Sequence, residues 1–304
     1  ARDRGQTRTG RHPRKMIAAL LTFGFAAAVV RITVPYALAA LGGTLSERSG
    51  VINIALEGLL LTGAFCATLG AFYGHGALAG ILGGVAGGVV VAALYALLVV
   101  KLGGDQIVCG VALNLFADGM TRFWLKATFD SSSNSPRIDA WGHVAAPLIV
   151  LTIALVALVQ LVVYRTPFGL RLRAVGEHPE AARSLGVDAA RVRWQALLLA
   201  GALAGLGGAW LAADQRQFVA GMSNGRGYIA LAAMIFGHWR PARAAAACLL
   251  FGLAEALQIA LQAAGVGVPG WAVQMLPYAL TMVTLAGFIG RATPPAALGR
   301  PEDR

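Results

Sequence analysis

Charge is what this sequence has least of. Of its 304 residues only 13% are Asp, Glu, Lys or Arg, about half of the roughly 25% usual in a soluble domain. Together with 57% hydrophobic residues and a mean hydropathy of +0.67, that excludes an ordinary water-soluble fold. Cysteine is nearly absent. Cys66, Cys109 and Cys248 lie inside apolar runs at no metal-ligand spacing, which fits small buried residues rather than a disulfide framework or a zinc site. Lysine is limited to Lys15, Lys101 and Lys126, and none follows the glycines of a GxxxxGK[ST] loop. HExxH and GxSxG are missing too, and the five histidines are scattered. No residue set for ATP hydrolysis, metalloprotease or serine-hydrolase chemistry is present, so the chain is expected to be no enzyme and to bind no metal or cofactor.

What is present is long apolar sequence. Ten runs stand out, at 16–30, 32–44, 51–73, 77–100, 106–128, 145–164, 194–213, 227–239, 242–264 and 271–290. Several reach the length of about 20 residues that crosses a hydrocarbon core. The expectation is an all-α, polytopic integral membrane protein of about ten transmembrane helices, some short or broken. The basic start, ARDRGQTRTGRHPRK, precedes an apolar run without a small-residue cleavage site, so no cleavable signal peptide is expected.

The net charge of +11 points to topology rather than to nucleic acid, because the basic residues sit between the runs and at the ends. Ten crossings with both termini in the cytoplasm place 19 of the 25 Lys and Arg inside. Fusing the first two runs into one helix kinked at Pro35 would invert everything downstream. The domain reading is therefore a cytoplasmic tail at 1–15, a membrane domain at 16–290 with a cytoplasmic loop at 165–193, and a cytoplasmic tail at 291–304. The short runs 32–44 and 227–239 each adjoin a glycine-containing step, GGTLSERSGVIN and GMSNGRGYIALAA. Short, interrupted segments in corresponding places mark transport cavities. Aligning Gly50-Val-Ile with Gly227-Tyr-Ile suggests an internal repeat.

Polar residues recur on single helix faces. Asn53 and Glu57 are four apart, as are Asn114 and Asp118, while Glu255, Gln258 and Gln262 follow at i, i+3 and i+7. A carboxylate in mid-bilayer costs roughly 2.5 kcal/mol or more, so these faces line a polar pathway or bond across packed helices. Aromatic residues such as Phe65, Trp210 and Phe236 could stack on a flat solute, or simply pack. Glycine stripes in GALAGILGGVAGGVV and GALAGLGGAW allow close helix approach.

The loop RTPFGLRLRAVGEHPEAARSLGVDAARVR carries six Arg against Glu177, Glu180 and Asp188. Pro179 suits the first position of a helix, Gly186 suits its stop, and Asp188 can cap the next one. The two turns between them expose Ala181, Ala182 and Leu185 as an apolar strip. That strip docks into another protein, or the loop merely fixes topology.

Three blocks carry a resemblance. LGGTLSERSGVINIALEGLLLTGAF, TPFGLRLRAVGEHPEAARSLGVDAARVRWQALLLAGALAGLGGAWLA and GRGYIALAAMIFGHWRP resemble signatures of membrane permease subunits of ABC-type importers of the nucleoside and simple-sugar class. These are related to branched-chain amino-acid and ribose permeases. The likeness spans 41–241, and Ile54-Ala55 departs from the more usual Ile-Gly. It implies a permease path for nucleosides or related small solutes, and an ATPase partner that binds Mg–ATP while this chain binds none. It implies also a second permease subunit, an extracytoplasmic substrate-binding protein and a bacterial plasma-membrane location. Glu177, Pro179, Glu180, Ala181, Ala182, Arg183, Ser184, Leu185 and Gly186 would form the coupling helix. Asn53, Glu57, Asn114, Asp118, Glu255, Gln258 and Gln262 are candidates for the path. The alternative is an ion-coupled secondary transporter in which Glu57 and Asp118 relay protons or bind cations.

Overall fold

A computed structural model describes residues 23–141, 144–263, 275, 279 and 293–300. In chain order its helices begin with α1 (Phe23–Arg48), α2 (Leu56–Tyr73), α3 (Ala77–Ala96, prolonged by a wider π turn over Leu97–Lys101), α4 (Gln106–Phe129) and α5 (Ala145–Arg165). Then come the short α6 (Pro167–Glu177) and α7 (Pro179–Ser184), followed by α8 (Ala189–Gln215), α9 (Arg226–Phe236) and α10 (Pro241–Ala263). An isolated bridge between Asn134 and Val219 is the one β pairing among the described residues. The chain divides into two compact units, 34–248 with 291–304, and 1–33 with 249–290.

Among the described residues six helices are long and apolar enough to cross a membrane: α1, α2, α3 with its π turn, α5, α8 and α10. The expected count of ten is not reached among the described residues, for identifiable reasons. Runs 16–30 and 32–44 are not separate crossings from Phe23 onward; α1 continues through Pro35 to Arg48. One proline removes a single ladder bond, which a membrane helix tolerates. Run 227–239 becomes the eleven-residue α9, about 16 Å long at 1.5 Å per residue against a core of about 30 Å. Helix α4, with 24 residues, is long enough but carries Asn114, Asp118, Arg122 and Lys126, which dilute its apolar character. Run 271–290 lies outside the described residues except for Met275 and Ala279.

The centre of the larger unit is the α2–α3–α8 trio, and it is built on glycine. Gly63 faces Gly205, Gly84 faces Ala209, and Gly88 faces both Gly201 and Gly205, so that a Cβ added at any of them would meet backbone or a Cβ of the neighbouring helix. Gly42 brings α1 equally close to Ala200 of α8. Lipid tails are as apolar as leucine, so membrane helices gain from dense van der Waals contact rather than from escaping solvent. Around the trio, Leu56, Leu59, Tyr95, Leu113 and Leu197 fill one buried cluster.

The hydrophilic loop folds much as its caps foretell. Asp188 accepts from the Arg191 N–H at 3.0 Å to start α8, Pro179 opens α7, and Gly186 ends it at φ +81°. Helix α6 was not expected. Its signal was nevertheless there: Phe168, Leu172 and Val175 recur at helical spacing and pack on the core, and Thr166 caps it through the Gly169 N–H at 3.2 Å. The segment 293–300 lies against this region, with the Ala297 N–H donating to Gly176 O (2.9 Å) and the Gly299 N–H to Gly50 O (3.1 Å).

The glycine contacts yield a first test. Gly205→Leu is expected to abolish the monodisperse detergent-solubilised subunit seen by size-exclusion chromatography. Gly119→Ala, where a Cβ would meet nothing within 4 Å, should leave the profile unchanged.

Candidate translocation site: a half-helix held at both ends

Between the end of α1 and the start of α2 the chain is unwound, and Val51, Asn53 and Ala55 are all buried. Non-helical backbone at membrane depth survives when the protein supplies its hydrogen bonds, and here particular side chains do so. The Ile52 N–H donates to Gln106 Oε1 at 2.7 Å. The Tyr95 hydroxyl lies between Ile52 O (2.5 Å) and Gln106 O (2.9 Å). Asn114 substitutes for a peptide group across the break: its Oδ1 accepts from the Gly58 N–H (2.8 Å) and its Nδ2 donates to Ile54 O (2.9 Å). The second Nδ2 proton reaches the Tyr228 hydroxyl at 2.9 Å.

Glu57 occupies the first turn of α2, and its carboxylate is directed at the start of α9. One oxygen accepts from the Gly225 N–H at 2.8 Å and the other from the Gly227 N–H at 2.7 Å. No side chain of α9's own N-cap residue does this work. Two otherwise orphaned donors are satisfied, and a negative charge meets the positive end of the helix dipole. Gly227 is required by the approach, because a Cβ there would collide with the backbone of Leu56 and Glu57.

The other end of α9 is held by the same sequence block. Arg48 Nε donates to Trp239 O (2.9 Å), and its Nη2 donates to His238 O (3.3 Å) and lies 3.4 Å from the Tyr164 hydroxyl. A cation thus meets the carbonyls where α9 terminates, through residues at φ +55° (His238) and +53° (Trp239). Glu47, itself buried, accepts from Trp239 Nε1 at 2.6 Å. Since Asn114 stands about 12 Å along α4 from Gln106 at 1.5 Å per residue, α9 runs from that depth back to the level of Arg48. Such discontinuous helices around an unwound stretch are how transporters build sites near the midplane.

The remaining candidates fall as follows. Asp118 lies one turn beyond Asn114 and pairs with Arg122, whose Nε is 3.0 Å from each carboxylate oxygen. The pair is half exposed, at 45% and 52%. Asn53 is buried and its amide has no partner among the described residues. Glu255, Gln258 and Gln262 stand on α10 within the other compact unit. Phe65 and Trp210 are buried packing residues, Phe65 meeting Phe218 edge-on at 5.2 Å. In the loop, Ala182 is buried in the core while Glu180, Ala181, Arg183, Ser184 and Gly186 are exposed and Leu185 is 83% exposed. Glu177 accepts from the Ala296 N–H at 3.2 Å, and Pro179 is half-buried. Sequence reasoning missed Tyr228, Arg122, Glu47 and Trp239. Arg122 was legible, being four residues after Asp118; the pairing of Glu47 with Trp239 spans too much chain to read.

Glu57→Leu leaves the half-buried Gly225 N–H and the buried Gly227 N–H without acceptors, an expected loss of about 2 kcal/mol. Glu57→Gln, which keeps one acceptor, should recover part of it. Thermal unfolding of the solubilised protein, followed for both variants, checks the order.

Residues 25–285 match the branched-chain amino acid transport system / permease component family. A guanosine ABC transporter permease protein of Bacillus subtilis is 37% identical, over 88% of this chain and 92% of its own length. A nucleoside ABC transporter permease protein of Lactococcus lactis is 36% identical, over 87% and 92%, and a putative glucose ABC transporter permease protein of Haloferax volcanii is 34% identical, over 78% and 79%. The chain is a multi-pass, helical membrane protein that belongs to the branched-chain amino acid transport system permease component family.

Proposed function

We propose that this chain is the membrane subunit of an ATP-driven importer of nucleosides or closely related small solutes, and that α7 couples it to a separate ATPase. The observation that carries the reading is the shape of α7: Ala182 anchors it to the core while Ala181 and Leu185, one turn apart, stay exposed at its tip. A helix of two turns with an apolar tip is made to be gripped by a groove in another protein. Nucleosides are favoured over sugars because the guanosine and nucleoside permeases align over more of the chain, at higher identity, than the putative glucose permease.

In this reading Mg–ATP is bound and hydrolysed by the partner ATPase and by no residue of this chain. A second permease subunit, different in sequence, completes the path, and an extracytoplasmic binding protein delivers the solute. The loop 165–193 faces the cytoplasm of a bacterial cell, and the segment 293–300, bonded to Gly176 and Gly50, lies on that side with it. With one continuous α1, a cytoplasmic start no longer follows from the crossing count, so we retain that placement for the C-terminus only. The repeat relating Gly50-Val-Ile to Gly227-Tyr-Ile belongs to the same proposal; the first triplet lies in the unwound stretch between α1 and α2 and the second in the first turn of α9. The ion-coupled alternative draws no support from the geometry: both Glu57 oxygens are occupied by backbone donors and Asp118 is engaged by Arg122.

The test is ATP-dependent nucleoside uptake by Glu180→Lys and Leu185→Asp variants. Both are expected to reach the membrane in normal amount and to lose uptake. Undiminished uptake in either would remove the coupling role of α7.

A further inference from the structure

We propose that Asp118, Arg122 and Tyr228 form the wall of this subunit that touches the transported solute, and that it selects uncharged, planar solutes over anionic ones. The inference rests on the importer reading above.

Its starting point is an ion pair in an unusual place. Asp118 lies midway along α4, about 18 Å from Gln106 at 1.5 Å per residue, on a helix of 24 residues that is long enough to cross a bilayer. Around it the helix exposes Val111, Leu115, Phe116 and Phe123, a surface suited to lipid or to another helix. Charged side chains at this depth face a bundle interior or water, yet Asp118 and Arg122 remain 45% and 52% exposed within this chain. Their environment is therefore completed by something beyond the described residues that tolerates charge. Gly119, one turn before Arg122 on α4, has nothing within 4 Å of a Cβ placed on it, so the surface has room beside the arginine.

Tyr228 adds an aromatic to this wall. It is 47% exposed, but its hydroxyl is fixed to the Asn114 amide at 2.9 Å, and Asn114 is locked to the backbone on both sides of the α2 break. A ring held at its polar end and bare along its body is prepared to stack on a flat partner. The ion pair, one turn along α4 from the Asn114 that holds this ring, offers carboxylate acceptors and guanidinium donors to polar edges, and its two charges cancel. A phosphate approaching would meet the Asp118 carboxylate and an arginine already engaged by it. An uncharged base linked to a polar sugar meets neither obstacle.

The probe is guanosine, with the full complex in proteoliposomes and Cys66, Cys109 and Cys248 replaced by Ala. In that background Gly119→Cys is expected to react with a water-soluble cationic thiosulfonate, and saturating guanosine is expected to slow the reaction about tenfold, while guanosine 5′-monophosphate leaves it unchanged. Adding Asp118→Asn makes the wall cationic, and the monophosphate should then protect as well. Tyr228→Ala should raise the half-saturating guanosine concentration for uptake about tenfold, the equivalent of one lost aromatic contact. Labelling unaffected by guanosine overturns the inference. So does full transport by an Asp118→Arg/Arg122→Asp exchange, which would make the pair a structural tie, and so does loss of the second permease from Arg122→Gln complexes, which would make it a subunit contact. If the unmodified complex shows no ATP-dependent uptake, the importer reading itself fails; if it transports while Gly119→Cys goes unprotected, this inference fails alone.

Discussion

The carboxylate of Glu57, seated on the Gly225 and Gly227 N–H groups, is the contact on which the rest of the larger unit depends. A helix of eleven residues cannot cross a bilayer, so its start has to lie at depth, where unpaired amides find no water. An acidic side chain from elsewhere in the chain meets that need and complements the dipole as well. A glutamate that would be a liability on a lipid-facing helix becomes the cap of a buried one. Gly227 has no side chain for the same reason, since the two backbones close to contact at this point.

The sequence SERSGVINIALEG supplies both ends of the clamp. Arg48 takes the carbonyls at the finish of α9, Glu47 takes the Trp239 indole, and Glu57 takes the start. Between Arg48 and Glu57 the chain is unwound, with turns at 49–50 and 54–55 on either side of 51–53, and its two ends meet the two ends of α9. The α6 end packs on the same place: a Cβ at Gly176 would strike the Arg48 carbonyl, and the 293–300 segment bridges Gly176 and Gly50. Movement of α6 and α7, driven in our proposal by a partner ATPase, is thus delivered directly to the block that fixes α9. No long relay between the loop and the site is needed.

The local features were legible in the sequence and the paired ones were not. Caps at Pro179, Gly186 and Asp188 stood in the residue types themselves, as did the glycine stripes of α3 and α8. The polar spacing of Asn53 with Glu57, and of Asn114 with Asp118, marked the right stretches of chain. It did not say that Asn114 would stand in for a peptide group, or that Glu57 would reach a segment 168 residues away, because hydropathy carries no information about partners. The crossing count failed at Pro35, where a helix-breaking residue is tolerated within a membrane helix, and at 227–239, where an apolar run is a half-helix. Helix α6 hid behind its arginines, although its apolar positions kept helical spacing.

Amide hydrogen exchange over residues 222–236, compared between the unaltered chain and Glu57→Gln, tests the central claim most directly. If Glu57 and Arg48 together hold α9, protection should fall sharply in that stretch while residues 189–215 of α8 remain as protected as before. Unchanged protection across 222–236 would mean that α9 is held by packing alone, and the account built on Glu57 would be wrong.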